Sequence, residues 1–305
     1  MENVVILGSG PAGLSAAIYA ARAHLDPIVI TGDTQGGQVT ITNEIENYPG
    51  FPKGVGGLEM YQLFREQAER FGARIVIDHV EAAELRQQPM LLRAREAEYE
   101  TKSLIIATGS NPRRLGVPGE DEMIGKGVSY CATCDGFFYQ DRPVAVVGGG
   151  DSALDEGLFL TRFASKVTII HRRDKLRASK ILQNRAFKNP KIEFIWDTVV
   201  ERVLGEDEVT GLRLKNVKTG EVYDFPVDAV FVFIGHIPNT AIFEGQVELD
   251  QQGYIVTDRR MRTNISGVFA CGDVQDPVYR QAITAAGTGA IAAMEAEKYL
   301  AELEG

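Results

Sequence analysis

Cys131-Ala132-Thr133-Cys134-Asp135-Gly136 carries the most evident chemistry in the chain. Two cysteines three apart close a disulfide within one helical turn and reopen when electrons arrive. The thiolate is the nucleophile in such exchange, so the pair needs surroundings that lower a cysteine pKa. Asp135 follows the second cysteine. A carboxyl raised toward neutral by partial burial would hand a proton there to a departing thiolate. Other uses of a CxxC fit less well. A structural zinc site wants four ligands, usually as two spaced pairs. The chain has three Cys and four His, and His24, His79, His171 and His236 stand singly, so no metal is expected. A structural disulfide belongs to an oxidising compartment, and nothing in the composition points to one.

Two glycine-rich stretches point to dinucleotides. Gly8-Ser9-Gly10-Pro11-Ala12-Gly13 and Gly148-Gly149-Gly150-Asp151-Ser152-Ala153 fit G-x-G-x-x-G/A. In the first, Gly8 allows a tight turn, Gly10 lets a pyrophosphate approach the backbone, and Gly13 lets helix and strand pack closely. The free N–H groups at the following helix start then face the phosphates. After the second fingerprint, a strand ends in His171-Arg172-Arg173, with Arg177 four residues on. An acid at that place would favour NAD, whereas guanidinium groups match the 2′-phosphate of NADP.

The elements needed to position these groups are legible. Val4–Leu7 is a buried strand before the first fingerprint, with a helix from about Leu14 to Arg22 and a second strand over Pro27–Ile30. No acid stands at the end of that second strand, so no ribose carboxylate is assigned. Gly36-Gly37-Gln38 and Asn47 supply backbone amides and polar side chains suited to a cofactor's ring end. Leu58–Phe71 reads as an amphipathic helix with Leu58, Tyr61, Phe64, Ala68 and Phe71 on one face. Short strands are expected at 74–78, 82–85, 90–95 and 98–102, then a buried strand at 104–107 turning at Thr108-Gly109. Val144–Val147 leads into the second fingerprint, and Lys166–Ile170 follows its helix. A hairpin series runs over 192–225 and an apolar strand over 229–234, with the exit from the second domain at Gly235–Asn239. Gly267–Ala270 is a returning strand, followed by Cys271, read as a small buried residue, and an Ala-rich helix to about Leu300. Gly287 and Gly289 inside that helix call for close approach of a bound ring system or a dimer partner.

The chain has 305 residues, 44% of them hydrophobic, enough for two domains with real cores. No signal peptide is visible and no apolar run reaches spanning length. A formal charge of −10 argues against nucleic-acid binding, and the few cysteines fit a reducing cytoplasm.

Taken together, Gly8–Gly13, Gly36-Gly37-Gln38, Ala107-Thr108-Gly109, Cys131–Gly136, Gly148–Ala153, His171-Arg172-Arg173 with Arg177, Gly272-Asp273 and Tyr279-Arg280-Gln281-Ala282 resemble the low-molecular-weight bacterial thioredoxin reductases, a branch of the pyridine nucleotide-disulfide oxidoreductases. The resemblance runs over essentially the whole chain. It implies an α/β fold of two Rossmann-like domains, the second inserted in the first. Residues 1–112 and 243–305 would bind FAD, and residues 113–242 would bind NADPH and carry the CxxC. It also implies a homodimer and thioredoxin as the protein substrate.

Carried over residue by residue, Cys134 is the sulfur nearest the flavin, Cys131 the interchange thiol and Asp135 the acid. The FAD residues are Gly8, Gly10, Pro11, Ala12, Gly13, Gly36, Gly37, Gln38, Asn47, Ala107, Thr108, Gly109, Gly272, Asp273 (on the ribityl chain), Arg280, Gln281 and Ala282. The NADPH residues are Gly148, Gly150, Asp151, Ser152, Ala153, His171, Arg172, Arg173 and Arg177. Cys271 stands where the family usually has Ala, and Tyr48 where Trp is frequent. One flavin serving both a nicotinamide site and a CxxC in the same inserted domain implies rotation on the two connections, Gly109–Arg114 and Gly235–Asn239. Phe137 and Phe138 would then line a docking surface or pack in the core. Other readings are a reductase of a glutaredoxin-like or peroxidase partner, and a flavin redox sensor that does not turn over. A ferredoxin–NADP reductase would lack the CxxC.

Overall fold

β1 (Glu2–Leu7) is apolar on both faces because it has neighbours on both edges and layers above and below. It runs into α1 (Pro11–Arg22), whose proline occupies the first turn, where an N–H would have no helical partner. β2 (Ile28–Ile30), α2 (Gly57–Arg70), β3 (Arg74–Val76), β4 (Val80–Glu84), β5 (Met90–Ala94) and β6 (Glu98–Ile106) follow. The computed structural model describes residues 1–42 and 44–304. The chain divides into one unit of Met1–Asn111 with the chain from Ile237 onward, and another of Pro112–His236.

In the first unit the sheet order is β3-β2-β1-β6-β5-β4. β3, β2, β1 and β6 are parallel, and β4, β5 and β6 antiparallel. Val4, Ile6 and Ile105 point to one core with α1 and α2, while Val5, Leu7, Leu104 and Ile106 point to the other. Two expectations change here. The strands expected at 98–102 and 104–107 are one strand, β6. Its buried polar interruption is satisfied, since Thr101 Oγ1 donates to the Ser103 carbonyl at 2.7 Å and Ser103 Oγ to that of Gly267 at 3.0 Å. Leu58 is exposed at 57%, and Met60 is fully buried in its place. At 3.6 residues per turn Leu58 lies about a third of a turn from the middle of the buried face.

β7 (Ser110–Pro112) leads out of this unit. The second unit contains β8 (Val128–Ser129), α3 (Ala132–Asp135), β9 (Pro143–Gly148), α4 (Asp151–Leu160), β10 (Lys166–Ile170), α5 (Lys180–Lys188) and β11 (Ile192–Ile195). β12 (Thr198–Gly205), β13 (Val209–Asn216), β14 (Val222–Phe225) and β15 (Ala229–Phe233) complete it. Its parallel sheet has the order β11-β10-β9-β15-β8, with an antiparallel β12-β13-β14 sheet beside it. Val144 and Val146 face α4 and α5, and Ala145 and Val147 face the antiparallel sheet.

β16 (His236–Pro238) pairs with β7 as the chain returns. β17 (Val268–Ala270) then joins β6 in parallel along residues 104–106, the stretch that β5 leaves uncovered. α6 (Ala282–Glu304) packs on α1. Gly289 is explained by this contact rather than by a ligand or partner: a Cβ there would lie 2.1 Å from the Ala12 carbonyl oxygen.

Candidate active site and nucleotide cradles

Cys131 and Cys134 form a disulfide with Cα atoms 5.3 Å apart, across the single turn of α3. Ala132, between them, is fully buried in the core under β9, and Thr133 is exposed. Gly136 backs onto Leu160, where a Cβ would come within 3.0 Å. The short residues on either side thus seat the turn and leave both cysteines half-buried at its rim. The Cys134 N–H donates to Cys131 Sγ at 3.2 Å, and Thr133 Oγ1 lies 3.3 Å from the same sulfur. Ser129 organises the other side. Its hydroxyl accepts from the Cys131 N–H at 3.1 Å and donates to Asp135 Oδ2 at 2.5 Å. Burial pushes the Asp135 carboxyl above its ordinary value, and the Ser129 hydrogen bond pulls the other way. Phe137 and Phe138 are exposed, edge to face with ring centroids 6.3 Å apart. Cys271 is fully buried in the first unit, and burial pushes its thiol up to about 12, so it is inert.

In the first unit the glycine loop is jammed where it must be and open where a ligand needs room. Gly8 takes φ +110°, and a Cβ there would lie 2.3 Å from the Ala107 carbonyl oxygen. A Cβ at Gly13 would strike the Gly8 carbonyl at 1.9 Å. Among the described residues a Cβ at Gly10, in contrast, meets only the Gly36 carbonyl at 3.6 Å, and one at Gly37 only the Gly10 Cα at 3.7 Å. No side chain caps the start of α1, so its first N–H groups stay available for an anion. Ser9, which sequence reasoning passed over, ties the loops together: it accepts from the Gly36 N–H at 3.0 Å and donates to the Thr31 carbonyl at 3.3 Å. The signal for it was weak, a single hydroxyl inside the fingerprint.

The remaining expected residues of this unit are held by local contacts, and Gly272 lies against the first turn of α1. A Cβ on Gly272 would touch Ala12, and the Gly272 N–H donates to Thr288 Oγ1 at 2.9 Å. Asp273 is half-buried, and burial, with Asp276 adding to it and Arg280 opposing, raises its carboxyl to about 6. Among the described residues no donor is hydrogen-bonded to that carboxyl. Asn47 donates to Gln281 Oε1 at 3.3 Å, joining two expected cofactor residues from distant parts of the chain. Arg280 takes φ +49° and donates to the Pro277 carbonyl at 2.7 Å, and Ala282 opens α6. Gln38 Nε2 donates to Asn111 Oδ1 at 2.8 Å, and Asn111 Nδ2 to Asn239 Oδ1 at 3.1 Å. Asn239 in turn donates to the Thr108 carbonyl at 2.8 Å. Asn111 and Asn239 were not foreseen as site residues, because long-range amide pairs leave no periodic trace.

The second unit repeats the cradle. Gly148 takes φ +154° against the Phe233 carbonyl, at 2.5 Å from a built Cβ, whereas Gly150 has nothing within 4 Å. α4 also starts without a side-chain cap, and Asp151 Oδ1 accepts from the Ser179 N–H at 2.7 Å. Ser152 and Ala153 lie in the first turn of α4, with Ala153 buried. His171 does not stand in solvent with the arginines. Its ring covers Gly149, where a Cβ would come within 2.3 Å, and its Nε2 lies 3.1 Å from the Lys175 carbonyl. Burial is the main cause lowering its pKa, and Arg177 and Arg173 add to it. Arg172, Arg173 and Arg177 are exposed, and none is ion-paired with a carboxylate among the described residues. The Arg177 N–H donates to the Gly149 carbonyl at 2.7 Å, which brings the arginine segment over the loop. Trp196, also unforeseen, meets His171 edge to face at 6.4 Å. Both cradles fit a dinucleotide by shape and by donor chemistry. Among the described residues no cluster of three or more potential metal ligands occurs, and no helix is long and apolar enough to cross a membrane.

Residues 2–289 match the family model described as pyridine nucleotide-disulphide oxidoreductase. The thioredoxin reductase of Rickettsia bellii is 57% identical, over 98% of this chain and 98% of its own. The crystal structure of thioredoxin reductase from Streptococcus pyogenes is 46% identical with a TM-score of 0.95, covering 99% of each chain. That of Lactococcus lactis, described as the FR conformation, is 45% identical with a TM-score of 0.67, covering 99% of this chain and 100% of its own. The chain belongs to the pyridine nucleotide-disulphide oxidoreductases and, within them, to the thioredoxin reductases.

Proposed function

We propose that the chain is an NADPH-dependent flavoprotein that reduces the disulfide of thioredoxin through Cys131 and Cys134. The observation that carries this is a CxxC disulfide set in the unit with one open glycine cradle, in a chain with a second cradle in its other unit. Family membership implies a flavin and a pyridine nucleotide. The finer assignment is FAD in the unit of Met1–Asn111 with the chain from Ile237, and NADPH in Pro112–His236.

When bound, the flavin carries electrons from the nicotinamide to the disulfide. The chain's own residues do the rest. The amides at the start of α1 and the open face of Gly10 hold a pyrophosphate. Asp273 would accept from the ribityl hydroxyls, and Gln38, Asn47, Gln281 and Ala282 would bound the ring end. Gly150 and the start of α4 hold the second pyrophosphate, with Arg172, Arg173 and Arg177 on the 2′-phosphate. By resemblance to the family, Cys134 would be the sulfur nearest the flavin. Cys131, whose sulfur already accepts the Cys134 N–H, attacks the thioredoxin disulfide as thiolate. One substrate sulfur leaves and takes its proton from Asp135. Cys134 then attacks Cys131 Sγ, which restores the disulfide and releases reduced thioredoxin. Exposed Phe137 and Phe138 give the partner an apolar landing beside the pair.

Exchange between two orientations of the units is part of the proposal. Relatives of 46% and 45% identity, each covering nearly the whole chain, score 0.95 and 0.67. The second of them is described as the FR conformation, which supports an exchange of this kind. A homodimer and a cytoplasmic setting complete the reading. Cys134→Ser tests it: bound FAD should still be reduced by NADPH while thioredoxin turnover is lost. Normal turnover in that variant would overturn the assignment.

A further inference from the structure

Among the described residues Arg172, Arg173 and Arg177 lack carboxylate partners, although acids lie close by in the chain. Asp174 follows Arg173 directly, and Asp197 donates its N–H to the Arg173 carbonyl at 3.4 Å. Both carboxylates are on one cation: Lys218 Nζ lies 2.9 Å from Asp197 Oδ2 and 3.4 Å from Asp174 Oδ2. The turn that presents Lys218 is built for the purpose. Asn216 Oδ1 accepts from the N–H groups of Lys218 and Thr219 at 2.9 and 3.0 Å, and the Val217 N–H donates to the Asp197 carbonyl at 2.6 Å. Asp197 itself takes φ +53°, a left-handed conformation that costs an ordinary residue energy. The Thr198 N–H closes the arrangement on the His171 carbonyl at 3.1 Å. Three segments of the second unit, 171–177, 196–198 and 216–220, are therefore interlocked around one lysine.

A carboxylate at the end of the second strand of such a fold accepts from a ribose 2′-hydroxyl and repels a 2′-phosphate. Asp174 lies four residues beyond the end of β10, beside Arg173 in sequence, and Asp197 is tied to the Arg173 backbone, so both acids belong to the arginine segment. We propose that Lys218 is a specificity-determining residue: by occupying Asp174 and Asp197 it leaves the three arginines unopposed toward the nucleotide 2′-phosphate. This rests on the NADPH reading of the second cradle. Lys218 acts through the acids and is a positioning residue, not a catalytic one.

Calorimetric titration of the FAD-loaded protein with NADP⁺ and with NAD⁺ tests it. Lys218→Met should weaken NADP⁺ binding by about twofold to fivefold, with NAD⁺ unchanged or tighter. Lys218→Arg should restore the wild-type ratio. Combining Lys218→Met with Asp174→Asn and Asp197→Asn should also recover NADP⁺ affinity, since the unmasked charges are gone. The difference should shrink in about 1 M salt, where screening acts over about 3 Å. An unchanged NADP⁺/NAD⁺ ratio in Lys218→Met, or equal weakening of both, would overturn the role while leaving the NADPH reading intact. A wild-type protein without preference for NADP⁺ would overturn both.

Discussion

The Cys134 N–H points at the sulfur of Cys131, 3.2 Å away. The bond is directional. It offers a donor to negative charge on Cys131, so once the pair is reduced, charge is favoured on the first cysteine. In the reduced protein a small neutral alkylating reagent should therefore modify Cys131 well before Cys134 at neutral pH, as read by peptide mass. Faster labelling of Cys134 would reverse the assignment of the interchange thiol.

Ser129 and burial act on the Asp135 carboxyl in opposite directions. Burial raises the Asp135 carboxyl, and the Ser129 hydroxyl partly offsets this by favouring the charged form. If protonated Asp135 supplies the leaving thiolate with its proton, turnover falls as pH rises through its pKa. Ser129→Ala removes the lowering contribution, so the falling limb of the pH profile should move to higher pH. Asp135→Asn should lose the limb along with most of the rate. A limb that moves to lower pH in Ser129→Ala would contradict the assignment. The same raised carboxyl favours folding below the pKa it has unfolded. That contribution disappears as pH rises through the folded value, so Asp135→Asn should gain stability relative to wild type in that direction.

Two glycines separate packing from binding. A Cβ on Gly289 would lie 2.1 Å from the Ala12 carbonyl, and one on Gly150 meets nothing within 4 Å. Gly289→Ala should cost about 1 to 3 kcal/mol in thermal unfolding. Gly150→Ala should unfold like wild type but bind NADP⁺ at least several-fold more weakly. Unaltered NADP⁺ binding in Gly150→Ala would remove that loop from the nucleotide site.

Trp196 is the chain's single tryptophan, edge-on to His171 at 6.4 Å. Binding of NADP⁺ to the second cradle should change its fluorescence, and replacing Arg172 and Arg173 with Ala should shift that titration to higher NADP⁺. An unresponsive tryptophan, with binding visible by calorimetry, would place the nucleotide elsewhere.

Much of this was legible because it is local. Val4–Leu7 and Val144–Val147 are apolar runs directly followed by glycine fingerprints, and period, turn and helix start all lie within about twenty residues. Polar residues inside β6 hid its continuity, since the partners that satisfy Thr101 and Ser103 include a carbonyl at position 267. Leu58 misled because composition marks it as core while its angle on the helix does not. His171 read as a nucleotide residue by position alone, and the covering of Gly149 by its ring has no trace in the spacing. Ser9, Asn111, Asn239 and Lys218 act through contacts with residues 20 to more than 100 positions away. No spacing rule exposes such pairs.

The central claim is that electrons from NADPH reach thioredoxin through Cys131 and Cys134. Its most direct test is steady-state oxidation of NADPH, beside NADH, by the purified FAD-loaded protein with a bacterial thioredoxin and insulin as final acceptor. Thioredoxin-dependent oxidation of NADPH, slow with NADH and absent in Cys131→Ser, is the predicted result. Reduction of the bound flavin by NADPH without thioredoxin turnover would contradict the claim.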